Sequence, residues 1–274
     1  VFNHIYQNSL LSKLDFDLTN DQKISLNEIN QDLKSNQKMF RLLQGDVGSG
    51  KTIVALTAAY NVIKSGFQVA LMAPTEILAR QHFQLAKNIF DKKIRIEILS
   101  SKSEYKEKKK ILKKLSNNKI DIVFGTHAIF QKKVIFNNLG LIIIDEQHKF
   151  GVNQRKKLSD KGGDNCDVLL MTATPIPRTL TMTIYGDMDL SIIREKPKSR
   201  KEVKTYSKLE SKISDVLKFI KKEINNQNQV FWVCPLIEES QKLDHSSAVE
   251  KYDFLKKKFP NQVALLHGKT NIEE

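Results

Sequence analysis

The run Gly45-Asp46-Val47-Gly48-Ser49-Gly50-Lys51-Thr52 fits G-x-x-x-x-G-K-[ST] without a mismatch. Glycines let a backbone wrap closely enough for successive N–H groups to face an anion, and a helix N-terminus behind them adds its dipole. In that geometry Lys51 brings a point charge to the β- and γ-phosphates of a nucleotide, and the Thr52 hydroxyl serves Mg²⁺. A chance Gly/Ser turn would share the composition but not the flanks. Met39 to Gln44 reads as a buried strand, and Ile53 to Lys64 as a helix with Ile53, Leu56, Ala59 and Ile63 on one face.

A second constellation is Leu141-Ile142-Ile143-Ile144-Asp145-Glu146-Gln147-His148, an apolar strand ending in two acids. Next to a phosphate loop, Asp145 is placed to hold Mg²⁺, and Glu146 to orient or deprotonate an attacking water. Met171-Thr172-Ala173-Thr174-Pro175-Ile176-Pro177-Arg178 is another strand running into small hydroxyl residues. Those hydroxyls could hydrogen-bond the acidic motif and a moving second domain, or the Thr-Pro pair could simply end a strand. Two loops, Ala73 to Arg80 and Gly125 to Ala128, follow strands on the same expected sheet edge. Thr75 and Thr126 there suit phosphodiester contacts and plain helix caps equally. Upstream, Phe16 could stack on adenine and Gln22 bond its edge. Thr19 and Gln22 also fit an ordinary helix start.

Strands expected to position these residues are Arg41–Gln44, Val69–Met72, Ile94–Leu99, Asp121–Phe124, Leu141–Ile144 and Val168–Met171. Most are continuously apolar, as strands buried on both faces are. Helical patterns at Ile53–Lys64, Thr75–Phe90 and Tyr105–Leu115 alternate with them. The alternation predicts an α/β fold, a parallel sheet with helices on both faces and right-handed crossovers. The ligand crevice then lies at the carboxyl ends of the strands. The charged stretch around Arg194 to Lys201 reads as a linker. Beyond it, helices at Lys208–Asn225 and Ala248–Phe259 and strands at Gln229–Cys234 and Gln262–Leu266 read as the opening of a second α/β domain. The expected division is residues 1–20 as lead-in, 21–194 as the nucleotide-binding domain, 195–205 as linker and 206–274 as a truncated second domain. Both ends are read as interior to a longer protein.

The 274 residues hold 45 Lys and Arg against 31 Asp and Glu, a formal net charge of +14. Such a charge suits a polyanion such as nucleic acid. Abundant Lys, Asn and Ile throughout equally fit AT-rich coding, and the lysines from Lys106 to Lys114 read as a solvated helix face. No apolar run of transmembrane length occurs. The two cysteines, Cys166 and Cys234, lie far apart. That spacing argues against a disulfide framework or zinc ribbon and suits a reducing cytosol.

In this order the motifs resemble superfamily 2 helicases of the DExH type, and more closely the RecG family of bacterial branched-DNA helicases. The resemblance is carried by Leu42 to Thr52, Ala73 to Ala79, Gly125 to Ala128, Ile144 to Val152, Thr172 to Leu180, Tyr185 to Asp189, Trp232 to Ser240 and Leu266 to Lys269. It implies a RecA-like P-loop fold followed by the start of a second RecA-like domain. It also implies ATP and Mg²⁺ as cofactors and ATP-driven translocation on duplex DNA, remodelling forks and Holliday junctions in recombination and repair. A cytoplasmic, monomeric bacterial protein with branched DNA as its partner and no membrane association is expected. Residue by residue, it implies nucleotide contacts at Phe16, Gln22 and Gly45, Asp46, Val47, Gly48, Ser49, Gly50, Lys51 and Thr52. Thr52 and Asp145 would serve the metal, and Glu146, Lys51 and Asp145 the hydrolysis. Coupling to movement falls to Gln147, His148, Thr172, Thr174 and Arg178, and contact with the DNA track to Thr75, Arg80, Thr126 and His127. The family's wedge domain and its later arginine motifs are not in this sequence, so this chain is expected to bind nucleotide yet hydrolyse it poorly. The alternatives are the motor of a transcription-repair coupling factor, a nucleotide-binding fragment without helicase activity, and, more distantly, a small-molecule P-loop kinase.

Overall fold

The computed structural model describes residues 6–100, 104–146, 166–174, 188–197, 203–234 and 241–266, with side chains of 241–247 left aside. The chain divides into two compact units, Val1–Glu202 and Val203–Glu274.

The first unit is built on seven parallel strands: β1 (Phe40–Gly45), β2 (Gln68–Met72), β3 (Ile96–Leu99), β4 (Ile122–Gly125), β5 (Leu139–Ile144), β6 (Asp167–Thr172) and β7 (Asp189–Ile193). Their order in the sheet is β3-β4-β2-β5-β6-β1-β7. The expected α/β class and parallel sheet are what the structure has. Side chains alternate between the faces, so Leu43, Val69, Leu71, Phe124, Ile143 and Met171 enter one core cluster. Leu42, Met72, Ile142, Ile144, Val168 and Leu170 enter another on the opposite face. The first cluster is covered by α1 (Gln7–Leu11), α2 (Asn20–Lys34), α3 (Lys51–Lys64) and part of α4 (Glu76–Ile89). The opposite face is covered further along by α5 (Tyr105–Ser116), through Ile111, Leu112 and Leu115.

Leu10 and Leu18, in the expected lead-in, are buried in the main core. The same segment is pinned through Asp91, whose carboxylate bonds Lys13, accepts from Tyr60 Oη at 2.6 Å and pairs with Lys64 at 2.9 Å. Lys13 first, then Tyr60 and Lys64, hold that carboxyl well below its usual range.

Strand β7 was not expected from the sequence. Its buried positions alternate with exposed Asp189 and half-buried Leu190 and Ile192, and it lies at the sheet edge, so pairing with β1 supplies its conformation. Arg41 helps to fix it. This buried guanidinium donates to Asp32 Oδ2 at 2.6 Å and Ser191 Oγ at 3.0 Å and lies 3.5 Å from Glu28, joining α2, β1 and β7.

In the second unit, α6 (Ile213–Asn225) follows a 3-10 turn over Glu210–Lys212, and α7 spans Gln241–Lys258. Ile220, Leu255 and Phe259 form its buried centre, with Trp232 and Val263 packed against it. The expected strands Gln229–Cys234 and Gln262–Leu266 join no ladder among the described residues. Phe231, Val233 and Leu266 are each more than 70% exposed. Apolar β-formers become a strand only when a neighbour takes up their backbone groups.

Candidate nucleotide-binding site

The phosphate loop leaves β1 at Gly45 and enters α3 at Lys51. Gly48 and Gly50 take φ of 76° and 87°, a region glycine enters freely. The N-cap of α3 is Gly50, so no side chain caps its first turn. Asp46 turns the loop by accepting the Val47 N–H at 2.8 Å. The Lys51 ammonium lies inside the loop, donating to the carbonyls of Gly45 at 2.7 Å and Asp46 at 3.1 Å. Burial lowers its pKa, while Glu146, Asp145 and Asp46 oppose that shift. Thr52, half-buried, begins the same helix.

Sheet order brings the acids to this loop. Strand β6 separates β1 from β5, so the loop and Asp145 stand across one intervening strand, about 10 Å by strand spacing. Asp145 extends the β5 ladder through its N–H to the Met72 carbonyl at 2.8 Å. Glu146 has φ of 53°, a conformation that L residues hold at a cost of about 1–3 kcal/mol and that clusters at functional sites. Thr172 ends the intervening strand. Its Oγ1 lies 2.9 Å from Thr174 Oγ1 and accepts the Thr174 N–H at 3.2 Å. Gln147, His148 and Arg178 lie outside the described residues.

Gln22 is tied down at both ends of its amide. Its Oε1 accepts the Thr19 N–H at 2.9 Å, its backbone N–H donates to Thr19 Oγ1 at 3.3 Å, and its Nε2 donates to the Ser49 carbonyl at 2.7 Å. The helix-start arrangement and a bridge to the phosphate loop therefore coexist in one residue. Phe16 is about half exposed.

The neighbouring Asp21 is bonded to the segment after β7. Its carboxylate accepts the N–H groups of Arg194 at 2.8 Å and Glu195 at 3.0 Å, and its own N–H donates to Glu195 Oε2 at 3.2 Å. Lys196 reaches Asp46 of the loop at 3.4 Å. Sequence reading missed this clasp, because no local pattern joins residues so far apart.

Thr75 and Thr126 follow neighbouring strands on the other half of the same edge, since Met72 of β2 and Gly125 of β4 are paired in register. Thr75 caps α4 by accepting the Leu78 N–H at 3.3 Å. Arg80 is exposed and paired with Glu76 at 2.8 Å. Thr126 is half-buried and forms no side-chain cap, and His127 is exposed. His82 was also missed. It occupies a core-facing position of α4, and its Nε2 lies 2.7 Å from Asp145 Oδ2.

For Mg²⁺, the fit rests on donor chemistry. A hydroxyl and a carboxylate are hard oxygen donors, and the acidic field of Asp145, Glu146 and Asp46 at Lys51 is one that a divalent cation relieves. Among the described residues no cluster of three or more His, Cys, Asp or Glu is placed to hold a metal. Cys166 is buried and its thiol is pushed up to about 12, chiefly by burial. Among the described residues no helix is long and apolar enough to cross a membrane.

A parallel sheet with a phosphate loop after β1 and an acidic pair after β5 defines a P-loop nucleotide-binding protein. Residues 19–183, more than half of the chain, match the family model described as DEAD/DEAH box helicase, and the chain belongs to that family. It is 48% identical over 267 residues to the ATP-dependent DNA helicase RecG of Bacillus subtilis, covering 96% of this chain and 39% of that protein. For RecG of Aquifex aeolicus the identity is 49%, covering 96% and 34%. A solved structure of RecG bound to a three-way DNA junction superposes with TM-score 0.78 at 40% identity, over 94% of this chain and 34% of that one. The helicase Mss116, bound to single-stranded RNA, shares the fold with TM-score 0.63 at 19% identity, covering 97% of this chain and 58% of its own. The chain thus spans between about a third and two fifths of the RecG proteins it matches.

Proposed function

We propose that this chain is the ATP-binding portion of a RecG-type motor, which couples ATP hydrolysis to movement on branched DNA in recombination and repair. The carrying observation is Lys51, seated on the carbonyls of Gly45 and Asp46 in the field of Asp145 and Glu146. Two ammonium protons serve the loop, and the third is available to a phosphate oxygen. The N–H groups of Gly48 to Thr52 surround the phosphates, Phe16 lies toward adenine, and Gln22 holds the loop through Ser49. Thr52 and Asp145 would hold Mg²⁺, which neutralises charge on the β- and γ-phosphates. Glu146 orients and deprotonates the attacking water.

Coupling to movement belongs to Thr172 and Thr174, together with Gln147, His148 and Arg178. Thr75, Arg80, Thr126 and His127 form the track side, where hydroxyls and cations meet phosphodiesters. Residues 21–194 make the ATP-binding domain, 195–205 the linker and 206–274 the opening of the second domain. We place the protein in the bacterial cytoplasm, acting as a monomer.

Titration of a fluorescent ATP analogue tests the site. Lys51→Ala is expected to weaken binding at least tenfold, and an unchanged isotherm refutes the cradle. In the longer protein, Glu146→Gln should retain ATP binding and abolish DNA-stimulated hydrolysis; persistent turnover would assign the water to another residue.

A further inference from the structure

The core-facing stripe of α4 runs Ala79, His82, Ala86 and Ile89. Three of the four are aliphatic, as a helix packed on a sheet requires. The exception is the one residue that reaches the acidic motif. His82 Nε2 and Asp145 Oδ2 are 2.7 Å apart, with side chains only 10% and 12% exposed. An ionised carboxylate only accepts, so the ring nitrogen donates. Asp145 is thereby held at two points from two elements: its backbone N–H by the Met72 carbonyl of β2, its carboxylate by α4.

A carboxylate at a strand end has a free torsion about each side-chain bond. Fixing one oxygen sets the direction of the other. A buried carboxylate also requires a partner for its charge, or its ionised form is disfavoured. One imidazole N–H meets both requirements.

We propose that His82 is a positioning residue for the metal site, orienting the Asp145 carboxylate so that its second oxygen faces Mg²⁺ bound with nucleotide. Carboxylates at metal sites depend on such outer partners, whose loss commonly costs 10–100-fold in metal affinity. The inference rests on the reading of Asp145 as a Mg²⁺ residue and adds to it a side chain from the crossover helix, remote in sequence from both motifs. Sequence pattern alone places His82 as a polar interruption of an apolar stripe.

The test uses this chain and a fluorescent ADP analogue, titrated with Mg²⁺ and, separately, in EDTA. His82→Ala is expected to raise the Mg²⁺ midpoint tenfold or more while leaving the EDTA affinity within about twofold. His82→Gln, whose Nε2–H lies at a similar reach, is expected to restore the midpoint to within about threefold. His82→Leu keeps the volume without a donor and should behave like alanine, which covers the case in which the alanine variant folds poorly. A purely structural histidine would lower the melting temperature of all three variants and leave the Mg²⁺ midpoint in place; that result overturns the proposal. So does a fall in EDTA affinity equal to the fall with Mg²⁺. If the unsubstituted chain binds the analogue without any Mg²⁺ dependence, the reading of Asp145 as a Mg²⁺ residue fails, and if Lys51→Ala binds as well as it does, the nucleotide-site reading itself fails. Unaltered midpoints in His82 variants of a Mg²⁺-dependent chain reject only the role of His82.

Discussion

Replacing Gly50 by alanine separates two costs that the structure superimposes. The first is conformational: φ is 87°, and a left-handed backbone costs an L residue about 1–2 kcal/mol. The second is steric. A Cβ on Gly50 would lie 2.3 Å from Gln22 Nε2 and 3.3 Å from its Cδ. A surface glutamine would swing aside at little cost. Gln22 is 3% exposed and bonded at both ends of its amide, to Thr19 and to Ser49. Displacing it forfeits two hydrogen bonds, each contributing about 0.5–1.5 kcal/mol, so the steric part is ~1–3 kcal/mol. Gly50→Ala alone should therefore destabilise the first unit by ~3 kcal/mol. In a Gln22→Ala background only the conformational part remains, and the same substitution should cost ~1–2 kcal/mol. The difference is a coupling energy between Gly50 and Gln22 measurable by a double-mutant cycle. Urea unfolding followed by far-UV circular dichroism suits the measurement, because the single tryptophan, Trp232, reports on the other unit. Equal costs for Gly50→Ala in both backgrounds would show that Gln22 does not hold the loop, and the bridge to Ser49 would have to be abandoned.

Asp167 gives a pH-dependent counterpart. Burial, with a contribution from the Asp32 charge, pushes its carboxyl up from 3.8 to about 6, although it accepts the Met39 N–H at 2.8 Å. The folded state then holds the proton more tightly than the unfolded chain. Its contribution is fully present below pH 3.8 and is lost as pH rises through about 6, a change of ~3 kcal/mol. Asp167→Asn should gain stability relative to the unsubstituted chain across that window, and a pH-independent difference between the two would contradict the assignment. Asp21→Ala should loosen the segment after β7, since it removes acceptors for the Arg194 and Glu195 N–H groups. Tryptic cleavage after Arg194 should accelerate about tenfold, equivalent to ~1.4 kcal/mol, and an unchanged rate would mean that the segment is held elsewhere.

The local framework of the candidate site was legible wherever its parts are contiguous. The glycines and lysine of Gly45 to Thr52, the strand-end acids Asp145 and Glu146, and six of the seven described strands follow from spacing and apolar runs. Each depends on conformations a few residues long. The parallel sheet was legible too, because strand-helix alternation leaves few other ways to cover both faces. Strand order was not. Only folding sets β6 between β1 and β5 and so brings Lys51 into the field of Asp145 and Glu146. Strand β7 and the segments Gln229–Cys234 and Gln262–Leu266 mark the same limit from opposite sides. A partly polar segment became a strand because β1 lay beside it, and two apolar ones joined no ladder among the described residues. The bridge from Gln22 to Ser49, the clasp of Asp21 and the hold of His82 on Asp145 join residues distant in the chain. Sequence determines which groups can donate and accept. Which donor meets which acceptor is decided by tertiary packing, because a hydrogen bond depends on distance and direction in space rather than on separation along the chain.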